Sequence, residues 1–200
     1  EARGNYRRVS YYDALWRPVI EREYDNANAS GTQRFRGWRY DPAGRTSFVG
    51  RPRSTATSIA SFTEGTSTGY DGLGRPTAVQ EDSELGVLTT STDYLNGFQT
   101  RVTDPRGNLT TTSYQAFDEP DTRHPTGIQA PEGQATLIVR DPYGKPLSLT
   151  RSGGSSAATR QYVYDSHERL CKRIEPETGA TFLDYDNAGN LAWSAEDSGL

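Results

Sequence analysis

Apolar and polar residues alternate in short runs along most of this chain, with the two-residue period of strands that cover one face. Trp38 and Tyr40, Leu137 and Val139, Leu147 and Leu149, and Tyr162 and Tyr164 each sit two positions apart. Read this way the chain predicts about fifteen short strands and no helix. Ser54 to Phe62 has the weakest alternation and is expected to bulge or loop.

What separates the runs is one repeated turn. Tyr12-Asp13-Ala14-Leu15-Trp16-Arg17, Tyr40-Asp41-Pro42-Ala43-Gly44-Arg45, Tyr70-Asp71-Gly72-Leu73-Gly74-Arg75, Arg140-Asp141-Pro142-Tyr143-Gly144-Lys145, Tyr164-Asp165-Ser166-His167-Glu168-Arg169 and Tyr185-Asp186-Asn187-Ala188-Gly189-Asn190 are copies. Tyr94-Leu95-Asn96-Gly97 and Tyr114-Gln115-Ala116-Phe117-Asp118-Glu119-Pro120 are looser ones. First residues are 28, 30, 24, 20, 26, 24 and 21 apart, a range that signals a stacked repeat architecture. In each copy Asp can bond the backbone that follows, Pro suits the second turn position, and Gly supplies a positive φ. Such a turn closes a β-hairpin with a bulge. Trp16, Asp118 and Glu168 replace the glycine, so those three turns must change type or accept strain.

A second set of turn signals lies between the first: Asn26 to Gly31, Glu64-Gly65, Glu84 to Gly86, Asp104 to Gly107, Pro131 to Gly133, Ser152 to Ser155 and Pro176 to Gly179. They mark the opposite ends of the hairpins. The expected fold is all-β: antiparallel hairpins following one another through residues 1–200 as a curved, spiralling sheet, with no internal domain boundary. The chain opens on Glu1 rather than Met and stops soon after a fresh repeat, so it reads as a piece of a longer array.

Composition sharpens this picture. Leu, Ile, Val and Phe make only 32 of 200 residues, while Tyr and Trp contribute 12 and 3, which points to a thin sheet without a thick core. The net charge of -4 comes from interspersed signs and lacks the basic footprint of a nucleic-acid binder. Neither a signal peptide nor a membrane-spanning run is present in the segment. A lone Cys171 excludes an internal disulfide and reads as a small packing residue.

The Tyr-Asp-x-x-Gly-Arg turn at these spacings resembles the RHS family, also called YD-repeat proteins, and Thr103 to Tyr114 and Tyr185 to Leu191 look like its bacterial members. The likeness implies a spiralling β-sheet wound into a hollow shell around a C-terminal toxic domain, as in insecticidal toxin complexes and secretion-system effectors. It implies flanking repeats of the same polypeptide, an enclosed toxin and a secretion spike or adaptor as partners, and a product made in the bacterial cytoplasm and then secreted or delivered. Family members that cut themselves do so at a motif ending Asp-Pro-x-Gly-Leu. Here Arg45, Asn108 and Lys145 follow the three Asp-Pro-x-Gly sequences, so no protease residues carry over.

The residues expected to matter are therefore structural turn residues: Tyr12, Asp13, Tyr40, Asp41, Gly44, Arg45, Tyr70, Asp71, Gly74, Arg75, Asp104, Gly107, Tyr114, Asp141, Gly144, Tyr164, Asp165, Tyr185, Asp186 and Gly189. Arg17, Arg45, Arg75, Lys145 and Arg169 stand where they can pair with the turn Asp or lie across a neighbouring Tyr ring. The aspartates lack the spacing of calcium repeats, and neither His124 nor His167 accompanies a nucleophile motif. No catalytic residue, cofactor or metal is expected. A competing reading makes the aromatic rows a carbohydrate- or cell-surface-binding platform, with Trp16, Trp38, Tyr162 and Trp193 as the contacts; the blander one pairs tyrosines with rings on adjacent hairpins.

Overall fold

A computed structural model of the chain describes residues 1–116 and 122–197. Within them the fold is all-β, and each described pairing is antiparallel and joins strands adjacent in sequence. Two compact units emerge, Glu1–Thr92 with Asp104–Arg106, and Asp93–Thr103 with Gly107–Leu200.

In the first, β1 (Ala2–Arg3), β2 (Tyr6–Tyr12), β3 (Pro18–Asp25), β4 (Arg34–Tyr40), β5 (Thr46–Gly50), β6 (Gly65–Tyr70), β7 (Pro76–Ser83) and, as far as Thr92, β8 (Gly86–Leu95) pair in that order. In the second, β9 (Gln99–Thr103), β10 (Leu109–Tyr114), β11 (Pro125–Gln129), β12 (Ala135–Arg140), β13 (Pro146–Gly153), β14 (Ser156–Tyr164), β15 (Leu170–Glu175), β16 (Gly179–Tyr185) and β17 (Leu191–Asp197) do the same. Seventeen strands lie among the described residues, against the roughly fifteen expected. Both sets of predicted turn signals fall between strands, with the Phe117 to Pro120 part of one looser copy lying outside the described residues.

The expected bulge is there. Register shifts by one residue at Tyr11/Tyr12, Arg39/Tyr40, Gly69/Tyr70, Val139/Arg140, Val163/Tyr164 and Asp184/Tyr185, at the residue that opens each close copy of the turn. An extra residue on one side of a ladder bends the strand and re-aims a side chain.

The expectation of no helix needs a small correction. One α-turn, Ala29–Thr32, sits in the β3 to β4 connection because the Asn28 side chain accepts a hydrogen bond from the Gly31 N–H at 3.2 Å. A side-chain oxygen that satisfies an otherwise unpaired N–H is enough to hold one helical turn. Single 3-10 turns occupy Ile59–Ser61 and Pro131–Gly133.

Few residues are fully covered, in keeping with a thin sheet. In the first unit Phe35, Phe48 and Phe62 form a local core, joined by Ile20, Ala56 and Ile59. The segment with weak alternation is indeed a loop, and it folds over the sheet to deliver Phe62, which is 1% exposed. Strand glycines make the room: a Cβ on Gly37 or Gly50 would lie 2.6 or 2.5 Å from the Phe62 ring. A glycine inside a strand often marks such a close approach. Guanidiniums cover the aromatic cluster, Arg39 at 4.3 Å from Phe48 and Arg22 at 5.7 Å from Phe35. Among the described residues no helix is long and apolar enough to cross a membrane.

Candidate functional site: the repeated turn

Five residues build each turn, and the same bonds recur. In Asp41 to Arg45 the Asp41 N–H donates to the Arg45 carbonyl at 2.9 Å and the Gly44 N–H to the Asp41 carbonyl at 2.9 Å. Both bonds return at Asp71, Asp141 and Asp186, and again at Asp13 and Asp165 with Trp16 and Glu168 in the glycine's place. One carboxylate oxygen of Asp71 accepts the N–H groups of Leu73 and Arg75, each at 2.9 Å, while the other accepts Arg75 Nε at 2.7 Å. Arg17 on Asp13, Arg45 on Asp41 and Arg169 on Asp165 repeat the side-chain bond at 2.7, 2.6 and 2.8 Å. Lys145 Nζ reaches Asp141 at 3.1 Å, and Asn190 Nδ2 reaches Asp186 at 3.1 Å.

These donors hold the carboxyls of Asp13, Asp41, Asp71, Asp141, Asp165 and Asp186 below the ordinary pKa. For Asp13, Asp71, Asp165 and Asp186 the largest cause is the backbone N–H four residues on. For Asp41 and Asp141 the largest single influence is burial, which pushes upward and is outweighed by the bonds from Arg45 and Lys145 together.

Glycine's place in the turn demands a left-handed backbone, with φ of 84° at Gly44, 83° at Gly74, 86° at Gly144 and 84° at Gly189. Trp16 and Glu168 keep the same turn and accept the strain, at φ 59° and 68°. Asp118, the third departure, lies outside the described residues. Glu168 has a compensating partner in Lys145, to which it is ion-paired; Trp16 stays 83% exposed and touches Tyr12 with ring centroids 6.2 Å apart.

The cation then reaches the next hairpin. Arg17 lies 4.5 Å from the Tyr40 ring, Arg45 4.6 Å from Tyr70, Lys145 5.1 Å from Tyr164 and Arg169 4.8 Å from Tyr185. Each of these tyrosines returns a bond, its hydroxyl donating to the backbone just past that cation: Tyr40 to Pro18 at 2.8 Å, Tyr70 to Thr46 at 2.8 Å, Tyr164 to Pro146 at 3.0 Å and Tyr185 to Leu170 at 3.0 Å. Burial raises the pKa of Tyr40 and Tyr164, which keeps both hydroxyls as donors. Arg45 also donates to the Asp71 carbonyl at 3.0 Å, so one guanidinium joins its own carboxylate, the next ring and the next turn. The sequence posed Asp pairing and Tyr stacking as alternatives; a single side chain does both. Tyr40, Tyr70, Tyr164 and Tyr185 therefore each meet the cation of the preceding turn.

The looser sites keep part of the pattern. Gly107 has φ 83° and Asp104 accepts the Arg106 N–H at 2.8 Å. Tyr114 and Thr100 share a hydrogen bond at 3.1 Å. Cross-strand ion pairs such as Arg160 with Glu175 and Arg8 with the buried Glu21 had no signal in the sequence, since their partners lie 15 and 13 residues apart. Of the four candidate glycan contacts, Trp16 stands on the first turn, Trp38 is half-buried on β4, Tyr162 is half-buried on β14, and Trp193 is half-exposed on the edge strand β17, its indole N–H donating to Asp184. His167 lies on the turn after Asp165, and the His124 ring packs against Gly144. Among the described residues no three His, Cys, Asp or Glu side chains gather as metal ligands.

No family model and no curated protein matches the chain. Solved structures do. The chain superposes on the crystal structure of TcdB2-TccC3-Cdc42 over 94% of its own length, with a TM-score of 0.55 and 18% identity. It matches a Photorhabdus luminescens Tc holotoxin pore carrying a mutated TccC3 over 97%, at TM-score 0.53 and 14% identity. The chain spans 12% of the length of each of those chains. At such identities the likeness is one of fold.

Proposed function

We propose that this chain is a non-catalytic wall segment of a toxin-enclosing RHS shell, continuous with flanking repeats and holding a toxic domain until delivery. The observation that carries the reading is the clasp found at four pairs of successive turns, which ties one hairpin to the next through a carboxylate, a cation and a ring. Ladder hydrogen bonds act between neighbouring strands, whereas the clasp stiffens the rim two strands at a time, which is what a wall requires. The fold shared with chains of Tc toxin complexes supports this architecture. Electron cryomicroscopy of the full polypeptide tests it. The expected map places these hairpins in a closed wall with density inside; hairpins displayed on an open surface with nothing enclosed would overturn it.

A second reading, recognition of glycans, is favoured by one observation: Trp16 is a strained and exposed indole where glycine serves elsewhere. Titration with oligosaccharides while following Trp fluorescence separates the two. Saturable quenching that disappears in Trp16→Ala supports binding, and unchanged emission leaves Trp16 as a surface residue only.

A further inference from the structure

Two pairs in this chain carry the chemistry of succinimide formation, and the fold treats them oppositely. Asn96-Gly97 is the one Asn-Gly pair in the sequence, and Asp71-Gly72 the one Asp-Gly pair. In both, the backbone nitrogen that would attack belongs to a glycine with open space around it: a Cβ on Gly72 or Gly97 would meet nothing within 4 Å. Both glycines lie on exposed turns. The difference is in the electrophile.

Asp71 offers a carboxylate gripped by the Leu73 and Arg75 N–H groups and by the Arg75 guanidinium, all within 2.9 Å. An ionised carboxylate has no leaving group, and these donors hold the carboxylate ionised and in one orientation. Asn96 offers a neutral amide, exposed, with no hydrogen bond to its side chain among the described residues. The other asparagines are followed by Tyr, Ala or Leu, whose side chains hinder the attack, and Asn28 and Asn190 are also held by hydrogen bonds.

We propose that Asn96-Gly97 is a site of spontaneous deamidation on the folded protein, and that the turn clamp shields the equivalent Asp71-Gly72 from isomerisation. The Gly97 nitrogen loses its proton and bonds to Asn96 Cγ, and the Cγ–Nδ2 bond breaks to release ammonia. Water then opens the five-membered ring at either carbonyl, giving aspartate or isoaspartate. The balance is one water consumed and one ammonia released. The product places a new carboxylate on the turn beside the Asp93 to Arg101 ion pair, and the isoaspartate form adds a backbone carbon to that turn.

Peptide mapping by mass spectrometry of the folded chain beside a sample in urea decides the matter, with incubation at mildly alkaline pH to follow Asn96 and at about pH 5, where an ordinary carboxyl is still partly protonated, to follow Asp71. Asn96 is expected to convert at least about tenfold faster than any other asparagine in the folded sample, the ratio a barrier lower by ~1.4 kcal/mol gives. Asp71 is expected to isomerise in urea and in folded Arg75→Ala, but not in the folded parent. Retention of Asn96 in the folded sample while the urea sample converts overturns the first part. Isomerisation of Asp71 at equal rates in both samples overturns the second. The urea arm keeps the test valid should Arg75→Ala fail to fold.

Discussion

Phe62 is the residue through which the thin sheet of the first unit acquires a core, and its removal gives the sharpest test of how that unit holds together. Its ring is 1% exposed and lies over Gly37 and Gly50, which have no side chains that could move in to fill a void. A buried phenyl ring removes about 150–200 Å² from water, worth ~4 kcal/mol at 25 cal/mol per Å², and unfilled cavities keep Phe→Ala losses in the range of about 3–5 kcal/mol. Phe62→Ala is therefore expected to cost ~4 kcal/mol, a large share of the ~5–15 kcal/mol of a typical domain. Gly50→Ala should cost about 1–3 kcal/mol through overpacking, because its methyl would sit 2.5 Å from the ring. Combined with Phe62→Ala the two losses should not add, since the methyl then enters vacated space. Urea unfolding followed by circular dichroism gives the free energies. Hydrogen exchange gives the location: the Phe35 and Arg53 amides, which bond each other's carbonyls at 2.8 and 3.1 Å, should lose protection while those of β13 to β16 keep theirs. A loss under about 1 kcal/mol for Phe62→Ala, or strict additivity in the double variant, would refute the account.

The remaining expectations concern the turns. Tyr70→Phe deletes the bond to the Thr46 carbonyl and should lower stability by about 0.5–1.5 kcal/mol, and Tyr70→Leu by ~1 kcal/mol more as the Arg45 contact goes, both read from urea midpoints. Gly74→Ala should cost ~1 kcal/mol because φ is 83° there, whereas Trp16→Gly should stabilise by about 0.5–1 kcal/mol in thermal melts. Acid should unclasp the turns together. Their carboxylates have folded pKa values below the reference 3.8, so the stability they supply is complete above that value and is lost as pH falls through the folded values; melting temperature should drop steeply below about pH 4, and less so in Asp71→Asn.

Much of this was legible in the chain because turn chemistry is local. Asp bonds backbone two and four residues away, and glycine's φ is decided by its own neighbours, so Asp41 to Arg45 and Asp141 to Lys145 announce their geometry in the sequence. Strand alternation is local as well. Phe35, Phe48 and Phe62 were not legible as a core, because each is an isolated aromatic in a polar setting and their meeting depends on a loop crossing the sheet. Gly37 and Gly50, two glycines within strands, were the available signal. The clasp was half legible: the offset of Arg from Asp fixes the carboxylate bond, but the ring that the guanidinium finds lies 23, 25, 19 or 16 residues further on, a distance that pattern reading cannot bridge.

That last variation explains how an irregular repeat makes a regular edge. Hairpin length along the chain varies, yet two hairpin turns on the same edge are separated by two strand spacings, about 9.5 Å whatever the strand length. A cation four residues past its Asp and a tyrosine one residue before the next Asp span this gap, and neither depends on what lies at the far end of the hairpin. Insertions can then collect on the opposite edge at no cost to the clasp, as the long Arg51 to Glu64 connection does between turns that are still joined through Arg45 and Tyr70. Selection on such a chain would hold the Asp, the cation and the ring, and leave strand length free.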